Sequence, residues 1–133
     1  MAKKQKKENQ IVVLLGENVI AEGVGIDIVE LDRIKGIRFL ERFAEYFLRP
    51  RELKAFRKHV NPVSFVASRF ALKEAVIKAF PHFLKPHDFE IVKRGKKPSI
   101  RFASRENEVR YSALVSISHS TEYAAGYAIV VQK

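Results

Sequence analysis

A helical pattern from Asn61 to about Phe80 sets the main requirement on the fold. Asparagine is a preferred helix-capping residue and Pro62 suits the first helical position, so the start of the helix is marked. Apolar residues occupy nearly every side, in two opposite sets: Val63, Val66, Phe70 and Ile77, and Phe65, Leu72 and Val76. A helix that is apolar all round is buried. We therefore predict a long buried helix, covered by a sheet on one side and by a partner subunit on the other.

Extended segments and two shorter helices precede this pattern. An apolar strand is predicted from Val24 to Val29, after segments that break at residues 16–18 and 22–23. Residues 38–47 carry apolar side chains at helical spacing with charged ones between them, which predicts an amphipathic surface helix. Residues 50–60 predict a shorter helix that begins at a proline.

Two hairpins are predicted after the long helix. Residues 88–102 alternate apolar and polar on both sides of a turn that contains Gly95, and residues 113–131 form a second hairpin that turns near Ser120. A strand, then helices, then hairpins is the order of an α+β fold. We expect a mainly antiparallel sheet packed on the long helix.

The length and composition of the chain limit the class of protein. A chain of 133 residues has the length of one domain, and we expect a basic, partly disordered extension over residues 1–20 before a single domain over residues 21–133. The absence of cysteine excludes disulfides, cysteine–zinc sites and thiol nucleophiles. No run approaches the ~20 apolar residues that span a bilayer, and the start lacks a signal-peptide pattern. These features favour a cytoplasmic protein with no membrane partner.

The formal net charge of +10 points to an acidic partner. Residues 1–10 contain four lysines and one glutamate and so supply +3, which leaves +7 in the rest of the chain. This balance suits nucleic acid, a phosphorylated small molecule or an acidic protein. The sign of the charge leaves all three open, together with a solvated basic face that binds nothing specific.

Two carboxylates stand in apolar patterns. Asp27 lies in the strand pattern and Glu74 lies in the apolar stripe of the long helix, and a buried carboxylate is costly unless it is paired or bound to a cation. If helix and strand pack together, the two converge and fit a hard cation such as Mg2+, with Lys73 and Lys78 on either side of a metal-bound phosphate. The alternative is a Glu74–Lys78 pair on the helix, with Asp27 capping the next turn.

Other polar residues give weaker indications. His119 lies at a strand end beside Ser116 and Ser118, where it could hold a phosphate, move a proton or be a hydrogen-bonded surface residue. The two lysines that follow Gly95 could meet a phosphate or be solvated. No glycine-containing elbow surrounds either serine, so a serine hydrolase has little support. The histidines at positions 59, 82 and 87 show no metal-ligand spacing and are interpreted as surface residues.

Three segments follow one another along the chain: GVGIDIVELDRI, ASRFALKEAVIKAF and VSISHSTEYAAGYAIV. Together they resemble the conserved blocks of the holo-acyl-carrier-protein synthases, the short, trimeric class of 4'-phosphopantetheinyl transferases. The resemblance covers residues 23–131. It implies transfer of the phosphopantetheine arm from coenzyme A to a serine of apo acyl carrier protein in lipid and fatty acid biosynthesis, with release of adenosine 3',5'-bisphosphate.

The resemblance also implies roles for individual residues. Asp27 and Glu74 are the expected Mg2+ ligands, Asp27 or its metal-bound water is the expected base for the serine hydroxyl, and Lys78 is expected to act on the leaving group. The positions expected around coenzyme A, some of them reaching it from a neighbouring subunit of a homotrimer, are Arg69, Lys73, Gly95, Pro98, Ser118 and His119.

The same resemblance predicts how the acidic carrier protein docks. The family receives it on the first helix region, so Arg33, Arg38, Arg42 and also Arg49 are candidates for long-range attraction, or else ordinary solvated arginines. Two departures stand out. The family's glycine-rich turn after the long helix is replaced by AFPHFLKP, so the resemblance does not predict the coenzyme A wall at this point, and residues 1–20 have no counterpart.

The alternative from another class is a small basic nucleic-acid-binding domain. It would account for the charge and the aromatic residues but not for two carboxylates in apolar patterns. The sequence has no helix-turn-helix, zinc-finger or RNP-type motif. We therefore expect no nucleic-acid partner.

Overall fold

The computed structural model describes residues 20–133 and has an α+β fold, as predicted. Its elements in chain order are β1 (Ile20–Glu30), α1 (Leu31–Lys35), α2 (Leu40–Phe47), α3 (Pro50–Lys58), α4 (Pro62–Ala79), β2 (Phe89–Arg94), β3 (Lys97–Phe102), α5 (Arg105–Arg110), β4 (Tyr111–His119) and β5 (Tyr123–Gln132). A short 3-10 turn, Pro86–Asp88, precedes β2. Across residues 20–133, no helix is long and apolar enough to cross a membrane.

The strands form two antiparallel sheets. β1, β5 and β4 lie side by side in that order, and β2 pairs with β3 in a separate hairpin. Both predicted hairpins are present. The turn between β2 and β3 places Gly95 at φ +63, in the left-handed region that favours glycine. The predicted antiparallel pairing is thus confirmed, with two sheets in place of one.

Helix α4 begins and ends where its sequence indicates. The Asn61 side chain accepts a hydrogen bond from the backbone N–H of Ser64 at 3.1 Å, which satisfies one of the free donors of the first turn. The helix ends at Ala79, two residues before Pro81. Ten of its 18 residues are buried. Ile77 is half-buried and Lys78 is exposed, so one side of the helix is not covered within a single chain.

Glycines in the strands let α4 approach the sheet closely. A Cβ added at Gly25 would lie 1.9 Å from the carbonyl oxygen of Ala75, and one added at Gly23 would lie 2.3 Å from that of Ala79. On β5, a Cβ at Gly126 would meet the Cα of Leu72 at 2.5 Å. Any side chain at these positions would push the helix away. The close approach places the residues of β1 directly beside those of α4.

Helix α4 contributes to two hydrophobic cores. Its C-terminal half packs with the β2–β3 hairpin, β4 and β5, in a cluster that includes Leu72, Val76 and Phe89. Its N-terminal half packs with α1, α2 and α3, in a cluster that includes Phe47 and Val66. The helix therefore holds the sheets and the smaller helices together.

Two local predictions are corrected. Residues 22–23 do not end a strand, because β1 runs through them with a bulge between Ala21 and Gly23. The short helix α5 was not predicted; its signal is Ser104, whose hydroxyl accepts from the backbone N–H of Asn107. The predicted break at residues 16–18 and nearly all of the predicted N-terminal extension lie outside the described residues.

Candidate active site

The close contact between β1 and α4 brings three predicted site residues together. The Lys78 amine donates hydrogen bonds to the Asp27 Oδ1 at 3.1 Å and to the backbone oxygen of Ile26 at 3.0 Å. The Lys78 side chain is 53% exposed and that of Asp27 is 20% exposed. Asp27 points toward the helix because its two neighbours in the strand point to the other face of the sheet.

Glu74 completes this cluster from the previous turn of α4. Its side chain is half-buried. Burial raises the pKa of Glu74, the negative charge of Asp27 raises it further, and Lys78 lowers it. Two carboxylates thus share one lysine. We call Asp27, Glu74 and Lys78 the open cluster.

The open cluster has the chemistry of a hard-cation site. Two carboxylates with one compensating ammonium leave an excess of negative charge, which a divalent cation would neutralise. Within residues 20–133, no group of three or more His, Cys, Asp or Glu side chains could hold a metal ion. The two carboxylates therefore fit Mg2+ only with further oxygen ligands from water or substrate.

Lys73 lies on another side of α4 and is enclosed. Its side chain is 1% exposed, and its amine donates to the Glu52 Oε1 at 2.8 Å. It also donates to the backbone oxygens of Phe47, Pro86 and Phe89 at 2.8 to 2.9 Å. This placement contradicts the expectation that Lys73 and Lys78 stand on either side of one phosphate, since every hydrogen of the Lys73 amine has an acceptor inside the chain. We call Glu52 and Lys73 the closed pair.

A cleft of about 880 Å3 lies between α3, the first half of α4, the β2–β3 hairpin and the end of β4. Three residues predicted to surround coenzyme A line it: Arg69, Pro98 and His119. Gly95 and Ser118 are not in its wall, although Gly95 forms the turn that carries the lining residue Lys96. Lys73 is not in the wall either.

Arg69, which lines the cleft, has a buried hydrogen-bond donor without an acceptor within residues 20–133. Its Nε is buried and has no hydrogen-bond partner among the described residues. The guanidinium lies over the ring of Phe65, 4.6 Å from its centre, and burial lowers the pKa of Arg69. A buried donor without an acceptor is costly. An anionic group in the cleft would supply the acceptor.

Sequence reasoning missed several basic side chains of this cleft. Arg51, His59 and Lys93 line it, and none of them was singled out. His59 was interpreted as a surface residue; its Nδ1 lies 3.0 Å from the backbone nitrogen of Asn61, and its ring lies 5.2 Å from that of Phe65. No spacing rule would have found it, because the chain places it in the cleft through the α3–α4 loop.

The other two histidines agree with the sequence interpretation. His82 contacts the Tyr111 hydroxyl, and His87 contacts the backbone oxygen of Glu45. Both are exposed and neither lines the cleft.

One face of the three-stranded sheet is apolar and exposed. Ile26 and Ile28 on β1 are 64% and 66% exposed, and Leu114 on β4 and Tyr127 on β5 are also exposed. Ile26 pairs with Tyr127, so these side chains share one face. A connected apolar patch of this kind is typical of a protein–protein interface. We call it the outer sheet face.

Three of the four arginines predicted to dock a carrier protein are exposed, whereas Arg49 is half-buried and donates to the backbone oxygen of His87 at 2.7 Å. Arg33 lies on α1, Arg38 lies in the turn before α2, and Arg42 lies in the first turn of α2. The guanidinium groups of Arg38 and Arg42 lie 5.3 and 5.8 Å from the centre of the Phe39 ring, which is itself 60% exposed. They form a basic surface around an exposed aromatic ring.

Comparisons with known proteins give one consistent result. The model of the 4'-phosphopantetheinyl transferase superfamily matches residues 23–129. A protein of Yersinia pestis named holo-[acyl-carrier-protein] synthase is 39% identical over 106 residues, which cover 74% of this chain and 84% of that protein.

Solved structures agree with the sequence matches. The holo-(acyl-carrier-protein) synthase of Bacillus anthracis, in complex with CoA (3',5'-ADP), matches with a TM-score of 0.73 and 30% identity over 85% of this chain and 98% of that one. The Helicobacter pylori enzyme, in complex with coenzyme A, matches with a TM-score of 0.66 and 34% identity over 83% of this chain and 99% of that one. By sequence and by fold, then, this chain belongs to the 4'-phosphopantetheinyl transferase superfamily, among the holo-[acyl-carrier-protein] synthases.

Proposed function

We propose that the protein transfers the 4'-phosphopantetheine group of coenzyme A to a serine of an apo acyl carrier protein and releases adenosine 3',5'-bisphosphate. The observation that carries the proposal is the open cluster, in which two carboxylates share one lysine. Its relatives support the same reaction, since they are named holo-[acyl-carrier-protein] synthase and two were solved in complex with coenzyme A or its nucleotide. The proposal places the reaction in fatty acid biosynthesis in the cytoplasm.

The reaction exchanges one phosphorus–oxygen bond for another. The serine oxygen bonds to the phosphorus that carries pantetheine, and the bond from that phosphorus to the bridging oxygen of the nucleotide breaks. Asp27 takes the proton of the serine hydroxyl. The Lys78 ammonium, held at 3.1 Å from Asp27, donates a hydrogen bond or a proton to the departing phosphate.

Asp27 and Glu74 are the residues that would hold Mg2+. Their carboxylates match the oxygen preference of this cation, and phosphate and water oxygens would complete the coordination. When bound, Mg2+ supplies positive charge where negative charge develops on the leaving phosphate. The mutual repulsion of Asp27 and Glu74, which contributes to the raised pKa of Glu74, favours such a neutralising ion.

Coenzyme A binds in the cleft, with Arg69, Pro98 and His119 in its wall. The unpartnered Nε of Arg69 supports a phosphate contact there. Ser118 pairs with Ala125 on β5 and is exposed, so it is available to the coenzyme A of a neighbouring subunit. Gly95 allows the tight hairpin turn beside the cleft.

The proposal includes a homotrimer in which the outer sheet face is covered. Ile26 and Ile28 would otherwise remain in water. Helix α4 packs on the opposite face of the sheet, so the side of it that one chain leaves open would need a separate contact with a partner. Sedimentation velocity on the purified protein tests this point, and a monomer at micromolar concentration would contradict it.

Arg33, Arg38 and Arg42 would dock the carrier protein. They are exposed and lie on α1, in the turn before α2 and in the first turn of α2. An acidic partner would be attracted over a distance and the attraction would weaken with salt. Replacing Arg38 and Arg42 together by alanine is expected to raise the KM for the carrier protein while the KM for coenzyme A stays unchanged.

Intact-mass spectrometry tests the function directly. An apo acyl carrier protein is incubated with this protein, coenzyme A and Mg2+, and a parallel sample contains a chelator. We expect the mass of one phosphopantetheine to be added, and the chelator to prevent it. If coenzyme A binds but no phosphopantetheine is added to any of several carrier proteins, the protein is an inactive binder. Neither addition nor coenzyme A binding, together with salt-dependent binding to nucleic acid, would favour the nucleic-acid alternative.

A further inference from the structure

Glu52 is a buried carboxylate to which the sequence patterns gave no role. Its side chain is 3% exposed although it lies in the first turn of α3, a surface helix. Oε1 accepts from the backbone N–H of Arg49 at 2.9 Å and from the Lys73 amine at 2.8 Å. Oε2 accepts from the backbone N–H of Ile91 at 3.0 Å. Both oxygens are therefore occupied by groups of the chain itself.

The closed pair joins five segments. Through Glu52 it connects α3 to the start of β2, and through Lys73 it connects α4 to the end of α2, the 3-10 turn and β2. Burial of the Lys73 ammonium requires a nearby negative charge, because an unpaired buried charge is strongly unfavourable. Glu52 supplies that charge and fixes α4 against the wall of the cleft.

Glu52 also acts on Arg69. Both residues line the cleft, and Arg69 lies one helical turn before Lys73 on the same side of α4. The negative charge of Glu52 raises the pKa of Arg69, against the larger lowering by burial, so it stabilises the guanidinium. The oxygens of Glu52 are already bonded elsewhere, and the Nε of Arg69 has no partner among the described residues. The guanidinium is thus attracted to the cleft wall while its Nε remains free for a ligand.

We propose that Glu52 is a positioning residue for coenzyme A: it neutralises Lys73, holds α3, α4 and β2 together, and keeps the Arg69 guanidinium in the cleft, ready for a phosphate of coenzyme A. This inference rests on the proposed function, because it assigns coenzyme A to the cleft. It differs from a purely structural role because it predicts a defect in coenzyme A binding rather than in stability alone.

Glu52→Gln tests the inference, because it removes the charge and keeps the shape. We expect the KM for coenzyme A to rise roughly tenfold, while kcat and the KM for the carrier protein change by less than about threefold. The matched control is Glu90→Gln. Glu90 is also buried, at 7% exposure, and accepts a hydrogen bond from Arg101. It does not line the cleft. We expect this control to leave the KM for coenzyme A unchanged.

A double-mutant cycle identifies the residue through which Glu52 acts. If Glu52 works through Arg69, Glu52→Gln should add little to the KM for coenzyme A once Arg69→Ala is present. Additive effects would overturn the inference, as would an unchanged KM in folded Glu52→Gln or an equal increase in Glu90→Gln. If Glu52→Gln does not fold, combining it with Lys73→Met removes the unpaired buried ammonium as well, and an unchanged KM for coenzyme A in this folded double variant would also contradict the inference.

Calorimetric titration of coenzyme A alone separates this inference from the proposed function. Wild-type transfer with an unchanged KM in Glu52→Gln removes only the role of Glu52. Coenzyme A binding without transfer would remove the proposed reaction, and the ratio of dissociation constants would still test Glu52, with the same roughly tenfold increase expected. Absence of both transfer and binding in the wild type would overturn both.

Discussion

The closed pair and the open cluster lie on different sides of α4, and they begin at neighbouring residues, Lys73 and Glu74. The closed pair is nearly inaccessible to solvent: the Lys73 side chain is 1% exposed and the Glu52 side chain is 3% exposed. Four acceptors surround the amine of Lys73. In the open cluster the Lys78 side chain is 53% exposed, and its amine bonds to Asp27 while its charge also lowers the pKa of the nearby Glu74.

This difference separates two uses of charge on one helix. A charge whose hydrogen bonds are all made inside the chain can hold segments together, but it has nothing left to give a substrate. A charge that is only partly compensated raises the free energy of the folded protein and keeps its capacity for a cation, a proton or a phosphate. We therefore expect substitutions in the closed pair to affect stability and coenzyme A binding, and those in the open cluster to affect turnover.

Lys73→Met should produce the largest loss of stability. It leaves the buried Glu52 carboxylate without its partner and three backbone oxygens without their donor, at a cost of about 3 to 5 kcal/mol in the free energy of unfolding. The matched change Lys78→Met removes an exposed pair and should cost less than about 1 kcal/mol. Urea unfolding followed by circular dichroism measures both. Equal losses of unfolding free energy in Lys73→Met and Lys78→Met would contradict the expectation that the buried lysine contributes more to stability than the exposed one.

Glu74→Gln should produce the largest loss of turnover. Without this carboxylate the open cluster loses a proposed Mg2+ ligand, and we expect turnover to fall about 10³-fold, or roughly 4 kcal/mol. Stability at pH 7 should not fall, because burial and Asp27 raise the pKa of Glu74 in the folded state and its charge therefore disfavours folding at neutral pH.

The control for Glu74→Gln is Glu41→Gln. Glu41 bonds to Arg57 at the surface and belongs to neither cluster. It should keep near-normal turnover in the mass-spectrometric assay. Turnover of Glu74→Gln within tenfold of the wild type would contradict the metal assignment.

The open cluster could be predicted from the sequence and the closed pair could not. Asp27 and Glu74 interrupt apolar patterns, which identifies them without any structure. Lys73 was expected beside Lys78 because α4 is apolar on nearly every side, so its periodicity does not tell which side faces which neighbour. Glu52 lies in a helix with charged residues all around it, where one more glutamate gives no signal.

The fold, like the site, could be predicted from the sequence only in part. Alternating apolar residues located both hairpins, because each strand pair has one buried face. Gly23 of β1 was interpreted as part of a break, since glycine commonly ends a strand, yet here it admits the helix. Helix α5 has six residues, too few for an apolar period to appear.

Gly25→Ala should damage both clusters through the packing of β1 on α4. The new Cβ would lie 1.9 Å from the backbone oxygen of Ala75, so strand and helix must separate, at a cost of about 2 to 3 kcal/mol. Asp27 would move away from Lys78, and turnover should fall as well. The matched change Gly36→Ala meets its nearest atom at 3.5 Å and should change stability by less than about 1 kcal/mol. Normal turnover in Gly25→Ala would mean that the spacing of β1 and α4 does not set the geometry of the open cluster.

Ser104→Ala has the smallest expected effect and shows what a loss of stability alone does to turnover. The Ser104 hydroxyl caps α5 by accepting from the N–H of Asn107 at 3.1 Å, and this helix contributes to neither cluster and does not line the cleft. We expect a loss of about 1 kcal/mol in the free energy of unfolding, restored by Ser104→Asp, which keeps an acceptor at the cap. Turnover at 25 °C should stay unchanged, because a loss of this size leaves nearly all molecules folded. If turnover fell with Ser104→Ala, the activity losses expected for the open cluster could not be separated from stability, and each would have to be corrected for the fraction of protein unfolded.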